Sequence, residues 1–309
     1  MKPLLSLSLL FCAAALLAAP VLAQEAHPSP PTSLPTERPS VRFSVIKTSQ
    51  VAVVERLLVP GGSYTKKVGT NFSAFLVQHN QEFILLDTGL GDQIDAQYQR
   101  DMPYWMRPFF KYETPVHSAR QQLDAAGFAP IGKIILSHSH WDHASGVQDF
   151  PQAQVMVAAD EMQAIHGAGG GGGAWVSQVG NPSIRWTPVA FTSGPYKGYS
   201  SSQDLYGDAS VVLVPMPGHT QGSLGVFVTV SSGKCYFFIG DVAWRLAALQ
   251  AEAPKFWAAS LIVDNDAAQT LDSLRQVHGV MRQYPEVSVV PAHDGAVQDA
   301  LGYFPNWVK

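Results

Sequence analysis

The stretch His138-Ser139-His140-Trp141-Asp142-His143 directly follows the apolar run Ile134-Ile135-Leu136. Four of its six side chains can ligate a metal. They are three imidazoles and a carboxylate, the donors that suit zinc and its first-row neighbours. His138 and His140 are two apart on what reads as an extended segment, so both rings can point the same way. Asp142 and His143 follow as the chain turns into a helix expected to start near Ala144. Four donors in one turn exceed what a tetrahedral ion takes from a single loop. Two adjacent cations are therefore expected, each needing further ligands from elsewhere.

Outward from this loop, one pattern recurs. A short β-branched or aromatic run ends in His or Asp beside glycine, proline or serine. Phe83 to Leu86 runs into Asp87-Thr88-Gly89, and Val211 to Val214 leads to Pro217-Gly218-His219-Thr220. Tyr236 to Ile239 ends in Gly240-Asp241, and Val287 to Val290 ends in Pro291-Ala292-His293-Asp294. Such runs are too short for helices, and open sheets bind ligands beyond their strand ends. The pattern supplies His219, Asp241 and His293 as further donors, and a carboxylate such as Asp241 can bridge two cations. Five of the ten histidines are then used. Five histidines and two aspartates without cysteine leave positions open for water and substrate, which points to catalysis rather than a closed structural site.

Helical segments alternate with these strands. Val116 to Ala126 carries Ala119, Leu123 and Ala126 at helical spacing and closes on Gly127. Ala267 to Tyr284 places Leu271, Leu274, Val277 and Met281 on one face and stops at Pro285. His278 beside that stripe reads as a structural histidine. Val41 to Val59 and Thr70 to Leu86 read as a meander of strands. The fold class is α+β: sheets covered by helices in two similar halves, dividing near residue 190 and meeting at the metal site.

The ends and the bulk composition bound the function. Lys2 precedes an apolar run, Leu4 to Leu22, closed by Val21-Leu22-Ala23, so residues 1–23 read as a signal peptide cleaved after Ala23. Residues 24–40 read as a proline-rich disordered linker, and 41–309 as one hydrolase domain. The protein is expected in the periplasm or secreted, with no stable membrane insertion after cleavage. Without Lys2, 19 Lys and Arg face 24 Asp and Glu, a balance of −5. No basic stripe offers itself to nucleic acid. Cys235, the one cysteine left after cleavage, lies in an apolar run and reads as a buried small hydrophobe.

These motifs resemble the metallo-β-lactamase fold superfamily, whose signature is H-x-H-x-D-H followed by a distant His, Asp and His. The likeness runs from about Asn71 to Asp294. It implies an αβ/βα sandwich of two mixed sheets covered by helices. It also implies one ion on His138, His140 and His219, another on Asp142, His143 and His293, and Asp241 bridging them. Asp87 matches the family's buried aspartate that supports the ligand loop. The cofactors implied are two divalent ions, Zn2+ first, though Fe, Mn or Co suit the same ligands. β-Lactamases of the family usually carry Cys or Ser where Asp241 stands, and flavo-diiron enzymes carry Glu where His140 stands. Glyoxalase-II-like thioesterases add a helical C-terminal domain, whereas 16 residues follow His293 here. The nuclease branch has insertions or basic surfaces absent here. What remains resembles the single-domain lactonases and esterases, including acyl-homoserine lactonases and exported organophosphate hydrolases. Those lactonases have a Tyr three residues after the bridging Asp. This chain has Trp244, which brings no hydroxyl.

The activity so implied is attack of a metal-bridged hydroxide on a small-molecule lactone or carboxylic ester, acyl-homoserine lactone-like. Asp142 or Asp241 would orient it and pass a proton to the leaving group. β-Lactams, organophosphates and aryl esters are alternative substrates, and a non-catalytic metal-binding protein is the alternative from another class. The apolar stretch Pro103 to Phe110 reads as either a lid, placing Trp105 and Phe109 in the substrate pocket, or a core-packing loop. Trp141 and Trp244, inside the motif loops, are expected to line that pocket. His166 to Gly173 contains a formal G-x-G-x-x-G with no strand before it, so it reads as a loop rather than a dinucleotide site. No G-x-S-x-G occurs, which sets a serine hydrolase aside.

Overall fold

The computed structural model describes residues 39–167 and 173–309. The expected signal segment, the linker up to residue 38 and residues 168–172 of the glycine run lie outside them. Six strands form the first sheet in sequence order: β1 (Val41–Val54), β2 (Lys67–His79), β3 (Glu82–Leu86), β4 (Lys133–Ile135), β5 (Gln154–Ala158) and β6 (Arg185–Val189). β1 to β3 pair antiparallel and β3 to β6 parallel. The second sheet contains β7 (Gln203–Asp204), β8 (Val211–Pro215), β9 (Leu224–Thr229), β10 (Cys235–Phe238) and β11 (Ser288–Val290), in the order β11-β10-β9-β8-β7. Only β10 and β11 pair parallel there. Both sheets are mixed, and the division falls between Val189 and Gln203, close to the expected residue 190.

Strand alternation decides which core each side chain joins. Ile135 faces the second sheet with Phe43, Phe75 and Leu86, where they meet Leu213, Val226, Tyr236 and Phe238. The Phe43 ring meets Tyr236 and Phe238 edge-on at 4.8 and 5.2 Å, joining the sheets. Each such fully buried ring contributes about 1.5–3 kcal/mol by leaving water. Ile134, one residue away, faces outward with Leu76 and Leu85.

Helices cover the outer faces. They are α1 (Glu55–Leu58), α2 (Ile94–Asp101), α3 (Ala119–Ala125), α4 (Trp141–Ala144), α5 (Ala159–His166), α6 (Val176–Val179), α7 (Leu246–Gln250), α8 (Trp257–Val263), α9 (Ala267–Gln283) and α10 (Gly295–Leu301). Ala119 and Leu123 of α3 pack on the first sheet. Leu274, Val277 and Val280 of α9 pack on Val212, Phe227 and Phe237 of the second. The layers run helix, sheet, sheet, helix, as the motif resemblance implies.

Several boundaries move for local reasons. α3 starts at Ala119, not Val116, because the Ser118 hydroxyl accepts the Gln121 N–H at 3.1 Å and caps it there. β1 ends at Val54, where Glu55 turns back to accept from Ser63 and pair with Lys66. α4 starts at Trp141 rather than near Ala144, since the His140 carbonyl already accepts from the N–H groups of His143 and Ala144. Asp142 and His143 therefore stand on a helical turn. Cys235 is buried without a disulfide, and burial pushes its thiol pKa up. His278 pairs with Glu252 at 2.8 Å. Among the described residues no helix is long and apolar enough to cross a membrane.

Candidate metal centre

Five strand ends converge on one rim. β3 delivers Asp87, β4 the His138 loop, β8 His219, β10 Asp241 and β11 His293. The rim is stitched together by backbone bonds from a strand of one sheet to a loop of the other: Leu224 N–H to Ser137 O at 2.9 Å and Asn71 N–H to His293 O at 3.4 Å. Three overlapping groups of donor atoms, each within 4.8 Å, result: His138, His140 and His219; His138, His143 and Asp241; and Asp142, His143 and His293. All seven candidates from the sequence are thus brought together. Asp241 lies centrally. Its Oδ1 is 3.1 Å from His293 Nε2 and 3.3 Å from His143 Nε2, and its Oδ2 is 3.5 Å from His219 Nε2.

Four of the imidazoles, those of His138, His143, His219 and His293, are oriented from behind through Nδ1. His293 Nδ1–H donates to the Asn71 carbonyl at 2.7 Å, and His219 Nδ1–H to Asp264 Oδ1 at 2.8 Å. His143 Nδ1 meets Asp87 Oδ2 at 2.8 Å, and His138 Nδ1 meets the Ser137 hydroxyl at 3.0 Å. Asp87 also accepts the Ser137 N–H at 2.7 Å and its hydroxyl at 2.8 Å, so one carboxylate fixes the loop and one of its rings. It does so from φ 54°, a left-handed conformation that Asp tolerates better than most residues.

Glu161, on α5 and fully buried, escaped the sequence reading. It accepts the Ser139 N–H at 2.7 Å, the Ser139 hydroxyl, the Thr220 hydroxyl at 2.6 Å and the Gly222 N–H at 3.2 Å. It thereby ties the His138–His140 loop to the His219 loop. Asp264 escaped too. It closes α8, 45 residues along the chain from His219, and only the fold sets it behind that ring.

The donor set fits divalent cations. His138 Nε2 and His219 Nε2 are buried polar atoms without a hydrogen-bond partner, a costly arrangement unless something else satisfies them. The Nε2 atoms of His143 and His293 lie 3.3 Å apart, so lone pairs converge there. Burial, with the charges of neighbouring imidazoles, holds His138 well below the usual histidine range. Burial and Lys255 push His219 down to about 3. These rings are kept neutral, as ligands must be. For His143 and His293 the carboxylates outweigh burial: Asp87 and Asp241 raise His143, and Asp241 raises His293. The same negative field would hold a metal cation in place of those protons.

A cavity of about 530 Å³ opens beside His140 and Trp141, walled by Met102, Met106, Phe110 and Trp175. The expectation for the Pro103–Phe110 loop is corrected in detail. Met106 N–H bonds Pro103 O, and Phe110 N–H bonds Met106 O, so the loop winds like a helix. Met102, Met106 and Phe110 share its inner side, while Trp105 and Phe109 are left 59 % and 78 % exposed. Neither lies on the wall. Trp244 does not line it either, because its indole N–H donates to Asp241 Oδ2 at 2.8 Å. Trp141 does. A second cavity, of about 460 Å³, lies at the far end of β4 against Pro130 and Arg185 and contains none of the cluster.

Residues 71–273 match the family model of the metallo-beta-lactamase superfamily. A probable metallo-hydrolase of Mycobacterium tuberculosis is 28% identical over 244 residues, spanning 71% of this chain and 73% of the relative. The N-acyl homoserine lactonase AttM of Rhizobium radiobacter is 28% identical over 180 residues, 56% of this chain and 62% of AttM. Among solved structures, a B. thuringiensis AiiA variant with N-decanoyl-L-homoserine bound at its active site superposes with a TM-score of 0.66. That match has 16% identity and covers 88% of this chain and 100% of AiiA. With its motif cluster gathered at one rim and the family model spanning most of the fold, the chain belongs to the metallo-beta-lactamase superfamily, as a metal-dependent hydrolase with N-acyl homoserine lactonases among its relatives.

Proposed function

We propose that this protein is an exported, dinuclear zinc hydrolase that opens a lactone, or cleaves a carboxylic ester, of the acyl-homoserine lactone kind. The observation that carries the reading is Asp241, one carboxylate set between two imidazole groups, with one oxygen 3.1 Å from His293 Nε2 and the other 3.5 Å from His219 Nε2. His138, His140 and His219 would hold one ion, and Asp142, His143 and His293 the other. Bound divalent cations supply Lewis acidity, ionising water near neutral pH and polarising a carbonyl.

The chain's own groups do the rest. Trp244 fixes the angle of Asp241, and Asp264, Asp87 and Asn71 fix the rings of His219, His143 and His293. Asp142 keeps 11 % of its side chain exposed, with Oδ2 3.4 Å from His293 Nε2, so it can take up a proton and return it to a leaving alkoxide. Among the described residues the cavity wall carries no hydroxyl side chain, and the Trp244 N–H is committed to Asp241. A carbonyl oxygen there finds no tyrosine-like donor. Met102, Met106, Phe110 and Trp175 suit an acyl chain. The lactonase relatives favour a lactone, and Lys2 with the apolar run to Ala23 favours export.

The test joins metal analysis of the mature protein to a panel of lactones, carboxylic esters, thioesters, β-lactams and aryl phosphotriesters. Two zinc ions per chain, with lactone or ester turnover leading, is the expected result. Faster turnover of a cephalosporin or a phosphotriester would reassign the substrate. Inertness of the metal-loaded protein to every class would end the enzymatic reading.

A further inference from the structure

Behind His219 lies a cation that neither the family model nor the motifs assign. Lys255, three per cent exposed at its side chain, places Nζ 2.7 Å from Asp264 Oδ1 and 3.3 Å from His219 Nδ1. Asp264 Oδ1 is also the acceptor of the His219 Nδ1–H at 2.8 Å. The ammonium and the ring N–H therefore share one oxygen, while Asp264 Oδ2 takes the Ser260 hydroxyl. The same Nζ lies 5.6 Å from the ring centroid of Trp244, whose N–H holds Asp241.

We propose that Lys255 is a positioning residue for the candidate metal centre: by sharing the Asp264 carboxylate with His219, it weakens the hold on the ion bound through His219. The proposal rests on the dinuclear reading. Its physical ground is an asymmetry in what stands behind the ligands. His143 is backed by the Asp87 carboxylate and His293 by the Asn71 carbonyl, neither shared with a cation in the bonds that orient them. His219 is backed by a carboxylate whose charge a buried ammonium already offsets. That lowers the electron density the ring can give a metal, and it adds a positive charge behind a ligand of a dication. The ion held through His219 is thus the more exchangeable and the more electron-poor of the two.

The sign of the effect separates this role from simple structural support. Metal-free full-length protein is titrated with zinc against a chromogenic chelator, and the His219-dependent ion is identified as the one lost in His219→Ala. Lys255→Met should bind that ion 10- to 100-fold more tightly than wild type, the usual scale for groups supporting a ligand. The other ion should be unchanged, and Lys255→Arg, which keeps the charge, should stay within about threefold of wild type by the same reasoning. Should Lys255→Met not fold, by near-UV circular dichroism, the neutral Lys255→Gln carries the same expectation. Unchanged or weaker binding in a folded neutral variant would overturn the proposal, as would Lys255→Arg behaving like Lys255→Met. The wild-type titration tests the underlying reading separately. One ion per chain would refute the dinuclear site, and the Lys255 comparison would then be made on that single ion. No ion at all would refute both.

Discussion

Replacing Glu161 by glutamine removes a single charge without changing shape, and it should loosen two ligand loops at once. Oε1 accepts the N–H and hydroxyl of Ser139, and Oε2 accepts the Thr220 hydroxyl and the Gly222 N–H. In Glu161→Gln one of these oxygens becomes an NH2, so two donors face a donor. Thr220 can turn toward the Ser223 hydroxyl at 2.8 Å, but the Gly222 amide has no such escape. A Cβ on Gly222 would lie 2.2 Å from Glu161 N, so the loop is pressed against the first turn of α5. An unsatisfied buried donor costs about 1–3 kcal/mol, which puts the loss at roughly 3 kcal/mol. For a domain of this size that lowers Tm by about 6–12 °C. Because Ser139 lies between His138 and His140, and Thr220 follows His219, zinc affinity should fall about 10- to 100-fold. Thermal melts of the metal-free variant and chelator competition of the loaded one read the two effects separately. A variant within about 0.5 kcal/mol and twofold of wild type would refute this account of how the loops are tied, since surface changes alone reach that much.

Three other variants probe the centre and its surroundings. Gly173→Ala should displace His140, because the new Cβ would meet its Cδ2 at 2.6 Å and its Nε2 at 2.7 Å from a residue at φ 89°. Zinc affinity should drop at least about tenfold, which chelator competition will show. Gly279→Ala, inside α9 where an added Cβ meets nothing within 4 Å, should instead stabilise by about 0.5–1 kcal/mol in urea unfolding. Asp149 tests the pH dependence. Burial pushes its carboxyl up to about 7, so the folded state holds a proton that the unfolded chain has released, and stability is lost as pH rises from about 4 through 7. Asp149→Asn should melt near wild type at pH 5 and above it at pH 8, by about 1–2 kcal/mol, and a constant difference across that window would contradict the assignment.

The legible parts of this protein are those with a local cause. Short apolar runs ending in His or Asp gave five strand ends and seven donors, because a strand buried on both faces must be apolar and its polar residues can appear only where it stops. The spacing of Leu271, Leu274, Val277 and Met281 located α9 to within a residue, since Asp266 caps one end and Pro285 ends the other. The start of α4 was misjudged because no capping side chain marks it; the His140 carbonyl alone opens the turn. Trp105 and Phe109 were misplaced because composition identifies an apolar loop but not which side of it faces inward. That depended on the turn from Pro103 to Phe110, which carries Met106 and Phe110 to the wall instead.

By itself the sequence determined the donor types, their order and the strands that carry them, since each depends on neighbours a few residues away. Only the tertiary structure decided what stands behind them: Glu161 between Ser139, 22 residues before it, and Thr220, 59 residues after it, Asp264 and Lys255 behind His219, and the Asn71 carbonyl behind His293 across 222 residues. Those partners leave no periodic trace. Hydrogen bonding and charge act through space, and a buried Glu or Lys looks like any surface residue until the fold shows what it faces.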